Sequence, residues 1–365
     1  MEKAAEEPEA DEEDTSGNGR VRTMQALAAV SGISRPTLSK YFHDPDSVRP
    51  TTRQRIEWAV REHDYRPNHF AMNLNRKATK AVGIIVPYLA DPFFAELARC
   101  IERRCIDAGY RPVLYSAHGE RDFENSALDS LRSLKPAGVL MAPLGSASDI
   151  GELRRFAEDI PTVLFDSELE AVGEAAGEAV GEAFVGSDNF QSIGLIVDYL
   201  CRTGEPPCFL EMPPVNPNAT TRRHAYVQAM ERLGFVPRVV KTEVAGWDFE
   251  RIGFEEGKRL IAERGLPSDT VLCSNDRIAI GLLAAAYEKG LRVGHGPGSA
   301  MRIAGHDDHP WSRFTCPPLT TVSQDYEGIA ERSVAALFAI IDPGSAPPPP
   351  RSVKLEGRLI MRASA

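Results

Sequence analysis

The sequence predicts a mixed α/β protein in two parts: an all-α N-terminal head holding a helix-turn-helix, then a long body of parallel sheets flanked by helices. Two observations carry the prediction. Residues 23–65 hold three short helical periods separated by turn signals, and from Lys80 onward short apolar strands alternate with amphipathic helices in two successive series. A third observation separates the parts chemically, because the chain has a net charge of −10 yet residues 20–80 hold twelve Lys/Arg against five acids. At 365 residues and 42% apolar content, the chain is long enough for two or three domains with their own cores.

Residues 1–20 form an acidic tail that is expected to be disordered, with eight acids and one lysine in its first nineteen positions. Nothing there resembles a basic region followed by an apolar stretch. No apolar run nears the roughly 20 residues needed to span a bilayer, so a cytoplasmic protein is expected. Cys100, Cys105, Cys201, Cys208, Cys273 and Cys316 are scattered without CxxC spacing, which predicts buried free thiols rather than disulfides or zinc ligands.

The head spans 21–66. Thr23 can cap a first helix with Met24, Leu27 and Ala28 on its apolar face, Ser31 and Gly32 make a tight turn, and Ser34 starts a second helix with Leu38 and Phe42 inward. Pro36 is tolerated there because first-turn amide hydrogens have no intrahelical partner. After "HDPDSV", Pro50 opens a third helix with Ile56, Ala59 and Val60 at helical spacing. In this arrangement the second helix lies in the DNA major groove with its N-terminal residues at base edges. Arg35 offers a bidentate fork to guanine, Pro36 an apolar surface and Lys40 a point charge. Ser34, Thr37 and Ser39 present hydroxyls suited to phosphate oxygens, and His43 ends the same helix. Positive charge clustered on a small module of an acidic protein fits the same partner, double-stranded DNA.

The next stretch, "YRPNHFAMNLNRKATKAVGIIVPYLADPFF", resembles the lactose-repressor (LacI) family of bacterial transcription regulators, and the similarity runs from about residue 21 to 362. The resemblance implies a hinge over 67–79 that becomes helical on DNA and wedges a leucine into the minor groove. Asn68, Ala71 and Leu74 take the hinge positions, with Leu74 as the lever. Such a wedge costs a few kcal/mol of base unstacking, offset by the contacts that bending permits. His69 and Met72 depart from the family's arginine-containing hinge.

The body begins with "AVGIIVPY" as a buried strand, followed by "FFAELARCIERRCIDAGY" as a helix, "RPVLYSA" as a strand, "SALDSLRSL" as a helix, "AGVLMAP" as a strand, "DIGELRRFAEDI" as a helix and "PTVLFDS" as a strand. A second series runs from "QSIGLIVDYLCRT" to "MRIAGHDD". Alternation at this pitch means parallel sheets flanked by helices. The resemblance implies a two-lobed, periplasmic-binding-protein-like effector domain over 80–365, with an N-lobe of about 80–185 and 326–341 and a C-lobe of about 186–325 and 342–365. A small molecule would lie in the cleft at the strand C-terminal ends. By the same resemblance, Phe93 and Phe94 offer apolar faces to a sugar ring, and Asp91, Asp166, Arg222, Asn275, Asp307 and Gln324 ring it with polar groups. Asp91 stands where the family usually has asparagine. In "GWDFERIG" the aligned position falls on Asp248, with Trp247 and Phe249 beside it, and Trp247 is the expected aromatic contact. His306 replaces the usual aromatic of its strand end, a substitution expected to bear on ligand choice. "EAVGEAAGEAVGEA", residues 170–183, reads as a flexible acidic loop, since glycine every fourth residue costs a helix about 1 kcal/mol each. "RSVKLEGRLIMRAS" reads as one final strand. Without a leucine heptad after it, a homodimer is expected rather than a tetramer.

Enzyme signatures are weak. "GFEEGKRL" has one residue too few between its glycines, and no Ser/Thr, for a phosphate loop; "GHGPGS" does not link a strand to a helix; neighbouring residues of "HDDH" point in different directions; GxSxG and HExxH do not occur. The expected function is therefore a sequence-specific DNA-binding transcriptional regulator, a repressor, that is controlled by a sugar or sugar derivative and needs no cofactor or metal. A purine- or nucleoside-responsive regulator of the same architecture is the alternative, and the missing export signal disfavours a stand-alone sugar-binding protein.

Overall fold

The computed structural model describes residues 21–66, 79–169, 180–344 and 346–365, the side chain of His43 apart. The tail 1–20, the hinge positions Asn68, Ala71 and Leu74, and residues 170–179 of the Glu-Ala-x-Gly repeat lie outside the described residues. Contacts divide the chain into two units, Met1–Lys77 and Ala78–Ala365.

In the first unit, α1 (Met24–Ser31), α2 (Arg35–His43) and α3 (Pro50–Glu62) follow the expected order. Thr23 Oγ1 accepts the Ala26 amide at 3.0 Å, and Gly32 closes α1 at φ 63, in the left-handed region that glycine enters without steric cost. Ser34 caps α2 by accepting the Thr37 amide at 3.4 Å, with Pro36 in the first turn. Leu27, Ile33, Leu38, Ile56, Ala59 and Tyr65 are buried together, with Met24, Ala28, Phe42 and Val60 packed around them. Burying each of the larger of these side chains stabilises by roughly 1.5–3 kcal/mol, the main force holding so small a helical unit together.

The second unit opens with β1 (Ala81–Val86), α4 (Pro92–Asp107), β2 (Arg111–Ser116), α5 (Arg121–Leu134), β3 (Gly138–Met141), α6 (Ile150–Asp159), β4 (Thr162–Phe165) and β5 (Ala183–Ser187). It continues with α7 (Asn189–Thr203), β6 (Cys208–Leu210), α8 (Pro217–Arg232), β7 (Val239–Val240), α9 (Phe249–Glu263), β8 (Thr270–Cys273), α10 (Asp276–Glu288) and β9 (Arg302–Ala304). It ends with β10 (Thr321–Ser323), α11 (Tyr326–Ile341), β11 (Ser352–Leu355) and β12 (Arg358–Ile360). One six-stranded sheet has the order β11-β5-β4-β3-β1-β2, all parallel, and a second sheet, also parallel, has the order β7-β6-β8-β9. Every residue of β1, β3, β4 and β8 is buried because helices cover both faces, hence the continuous apolar runs. In each sheet the strand order reverses around a central strand, β1 in the first and β6 in the second. A crevice opens at the carboxyl ends of such strands.

Three passages of chain link the lobes, at 187–189, 323–326 and 355–358, between elements of the two sheets. The last corrects the reading of residues 352–360 as one strand of the second lobe. β11 pairs with β5 in the first sheet, and β12 pairs antiparallel with β10, so the stretch belongs to both lobes. The repeat also ends earlier than its sequence period, since Ala183 already starts β5 and Glu182 accepts the Thr162 amide at 2.8 Å. "GFEEGKRL" lies inside α9, where its glycines serve packing. A Cβ on Gly253 would sit 2.3 Å from the Ile278 carbonyl, and one on Gly281 of α10 would sit 2.2 Å from the Glu250 carbonyl. The cysteines are free, as expected, but burial fails for Cys316, which is exposed in a proline-rich loop, and Cys201 is half-buried.

Candidate functional site

In the head, α2 presents the expected surface. Arg35, Pro36, Ser39 and Lys40 are exposed, Thr37 is half-buried, and neither Arg35 nor Lys40 makes an ion pair with a described residue. Arg53, in contrast, is held by Asp46 and Glu57 at 2.6 and 2.9 Å. Ser34 and Thr37 are partly committed to each other, their hydroxyl oxygens 2.8 Å apart, while Ser34 also caps the helix. Any phosphate contact from Ser34 must share an oxygen already accepting a backbone amide.

In the body, eight of the nine effector residues named from the sequence line one cavity: Asp91, Phe93, Phe94, Asp166, Arg222, Trp247, Asn275 and Asp307. Most follow from local folding at the carboxyl end of a strand or the start of a helix. Asp91 caps α4 through the Phe93 amide at 3.0 Å and sends both phenylalanines to the cavity. Asp166 directly follows β4, Asn275 follows β8 and caps α10, and Asp307 follows β9. Arg222 reaches in from α8 and is buried. Gln324 is not part of the lining. It stands behind Asp307, donating to its Oδ1 at 2.7 Å and pairing with the Ser187 hydroxyl. The free space at the centre is about 30 Å³, roughly two water-sized spheres.

The alignment question around Trp247 resolves structurally. Asp248 caps α9 and pairs with Arg251 at 2.8 Å, while Trp247 and Phe249 on either side both reach the cavity. Trp247 comes from the second lobe but packs on the first, 6.3 Å from the Phe94 ring and 6.4 Å from Tyr88. A Cβ at Gly119 would stand 2.5 Å from the indole, so glycine is what lets the loop approach. His306 is fully buried and lies outside the lining, so any bearing it has on ligand choice runs through Asp307. Its Nδ1 lies 2.9 Å from Asp307 Oδ1 and its Nε2 2.8 Å from Ser192 Oγ, so it orients Asp307. The rest of "HDDH" diverges, with Asp308 on Arg362 at 2.7 Å and the His309 amide on Asp276 at 2.8 Å.

Electrostatically the cavity is acidic. Burial pushes Asp91 up to about 6, partly offset by Arg277, whose Nη1 lies 2.9 Å from Asp91 Oδ2 across the cleft. Burial pushes Asp166 up to about 7 against the pull of Arg222 and the Ser167 hydroxyl. For Asp307 burial is outweighed by Arg222, at 2.9 Å, which together with His306 holds the carboxyl below its ordinary range. His306 is pushed down to about 4 by burial and by Arg222, so it is neutral at physiological pH.

Sequence reasoning missed Met212, Asn216, Asn218 and Phe249 as lining residues, and missed Arg277 as the partner of Asp91. "NPNATTRR" did carry a signal, an asparagine cap followed by Pro217 in the first turn, which marks a helix start facing the crevice. The signal for Arg277 was a single cation opening the otherwise apolar run "IAIGLLAAA".

Comparison with known proteins covers both units. Residues 23–68 match the family described as bacterial regulatory proteins, lacI family, and residues 187–365 match the periplasmic binding protein-like domain. The ribose operon repressor of Escherichia coli (strain K12) is 27% identical over 323 residues, covering 87% of this chain and 92% of the relative. The HTH-type transcriptional repressor CytR of the same strain is 28% identical over 317 residues, covering 87% and 89%. The crystal structure of the lac repressor dimer bound to operator and an anti-inducer superposes with a TM-score of 0.77 at 22% identity, covering 94% of this chain and 99% of that one. With both domains matched in order and repressors aligned along most of its length, the chain joins a helix-turn-helix head of the lacI family to a periplasmic binding protein-like domain.

Proposed function

We propose that the protein is a cytoplasmic transcriptional repressor that binds a specific duplex operator as a homodimer, through α2 and the hinge positions Asn68, Ala71 and Leu74, and releases or tightens that grip when a sugar or sugar derivative binds between the lobes. The observation that carries the reading is the convergence of eight residues on one cavity, with aromatic rings beside carboxylates, amides and a guanidinium. That mixture suits a sugar, whose vicinal hydroxyls take polar partners while its C–H faces lie on rings. The exposed cations of α2 suit base edges and phosphates, and a symmetric dimer sets two such helices on half-sites one helical turn apart.

The test is anisotropy titration of the full chain against duplexes from its own upstream region and against random duplex of equal length. Arg35→Ala is expected to relax discrimination at one base pair, at about 1–3 kcal/mol. Equal affinity for upstream and random DNA at moderate salt, with and without sugars, would sink the reading.

A further inference from the structure

Resting on the reading of the cavity as the effector site, the distribution of charge and donors there points to the chemical class of the effector. We propose that it is an uncharged, hydroxyl-rich molecule, and that the cavity turns away the phosphorylated and carboxylated forms of the same compound. Three carboxylates, Asp91, Asp166 and Asp307, line the space, and Arg222 is the one cation among the described lining residues. Three of its five N–H donors are held and its charge is matched by a carboxylate: Nε donates to Asn189 Oδ1 at 2.9 Å, Nη1 to the Ser274 carbonyl at 2.8 Å, and Nη2 pairs with Asp307 at 2.9 Å. The next nearest guanidinium, Arg277, is held behind Asp91 by that carboxylate at 2.9 Å, by Glu250 Oε2 at 2.8 Å and by the Trp247 carbonyl at 3.0 Å.

Helix N-termini are the remaining source of positive potential, and four helices, α4, α8, α9 and α10, start at this cavity. Part of their first-turn donors is spent on their own caps. Phe93 donates to Asp91 at 3.0 Å, Ala219 to Asn216 at 3.2 Å and Ile278 to Asn275 at 2.8 Å, while Pro92 and Pro217 have no amide hydrogen to offer. What stays open is acceptor capacity. Asp166 Oδ2 accepts from Ser167 and Asn218, and Asp307 Oδ1 takes Arg222, Gln324 and His306, but no described residue donates to Asp166 Oδ1 or Asp307 Oδ2. Hydroxyl donors satisfy those oxygens; an anion meets them as like charges. One uncompensated carboxylate about 8 Å from a ligand anion, at an effective dielectric of about 20, weakens binding roughly thirtyfold.

The experiment is isothermal titration of the full chain at about pH 8.5, where Asp166, pushed up to about 7 by burial, is ionised, with matched pairs: ribose and its phosphate ester, glucose with its phosphate ester and with gluconate, adenosine and its monophosphate. The expected result is that in any pair that binds, the neutral member binds at least roughly tenfold tighter. A charged member that binds as tightly as its neutral partner, or tighter, overturns the proposal and leaves the sugar reading standing. Neutral preference in the adenosine pair with every sugar silent upholds the charge rule and removes the sugar reading instead. Silence across all pairs overturns both. Asp91→Asn, which returns one charge of Arg277 to the cavity, is expected to narrow the neutral-over-anionic gap roughly tenfold. An unchanged gap in a variant that still binds the neutral member counts against the proposal.

Discussion

Arg277→Met leaves Asp91, 4% exposed, as a buried carboxylate with no cation beside it. With the guanidinium in place, burial already pushes Asp91 up to about 6. An acid whose folded pKa lies above its unfolded value binds more protons folded than unfolded, so stability falls as pH rises through the interval between them. Losing Arg277 lifts the folded value further and carries that fall past 6. Relative to wild type, the loss is then negligible well below pH 6 and grows by about 1.4 kcal/mol for each unit above it, reaching about 2.7 kcal/mol at pH 8. That sits just under the roughly 3–5 kcal/mol of breaking a buried ion pair; Glu250, the other partner, is exposed enough to rehydrate. The guanidinium also lies 5.0 Å over the Phe249 ring, a contact methionine keeps in part. Urea unfolding of the full chain at about pH 5 and 8 measures the difference, and Asp91→Leu combined with Arg277→Met should restore most of it, since two well-packed apolar side chains can replace a buried pair. Equal losses at the two pH values, a loss under about 1 kcal/mol at pH 8, or a double variant no better than the single one would refute the reasoning.

Three further outcomes are expected. Arg222→Met leaves DNA affinity of the effector-free protein unchanged and abolishes the effector's influence on it, read by operator anisotropy with and without ligand; matching losses of DNA affinity in this variant and in Arg35→Ala would contradict the division of labour between the units. Gly281→Ala forces a methyl into the 2.2 Å approach of α10 to the Glu250 carbonyl and should cost about 1–3 kcal/mol or more in chemical unfolding, and a neutral result would mean the helices can part without penalty. Ser34→Ala removes the cap of α2 and should lower the stability of the head by about 1 kcal/mol, seen as an earlier helical melt in circular dichroism.

Local rules carried much of this architecture. Thr23, Ser34 and Pro50 start the three helices of the head because a hydroxyl cap or a fixed φ at a first turn is a property of a few adjacent residues. The same locality made the buried strands readable, as continuous apolar runs. Pairing across long sequence distances was harder. Residues 352–360 contain nothing local that says four of them pair with β5 and three with β10, because that choice depends on where two sheets already stand. The site divides along the same line. Positions that follow strand ends matched a family pattern, whereas the Asp91–Arg277 pair joins residues 186 apart and needs the closed cleft to exist. His306, read as a substitution at its strand end that bears on ligand choice, is turned inward to Ser192 by the fold and meets the cavity only through Asp307, a placement no local pattern announces.

Cross-lobe contacts at the cavity also constrain how a ligand can act. Asp91 meets Arg277, Asn218 donates to Asp166 Oδ2 at 3.1 Å, Ser146 donates to the Pro214 carbonyl at 3.2 Å, and Trp247 packs against Phe94. With about 30 Å³ free between them, a sugar enters only if some of these contacts part. The contacts that hold the lobes together use groups that a sugar in the cleft also addresses. A ligand shifts such an equilibrium only by its difference in affinity between the closed and parted arrangements. Its hydroxyls must do more for Asp166 and Asp307 in the closed form than the displaced contacts did, and a compound that satisfies those carboxylates equally well in both forms would bind without changing the grip on DNA.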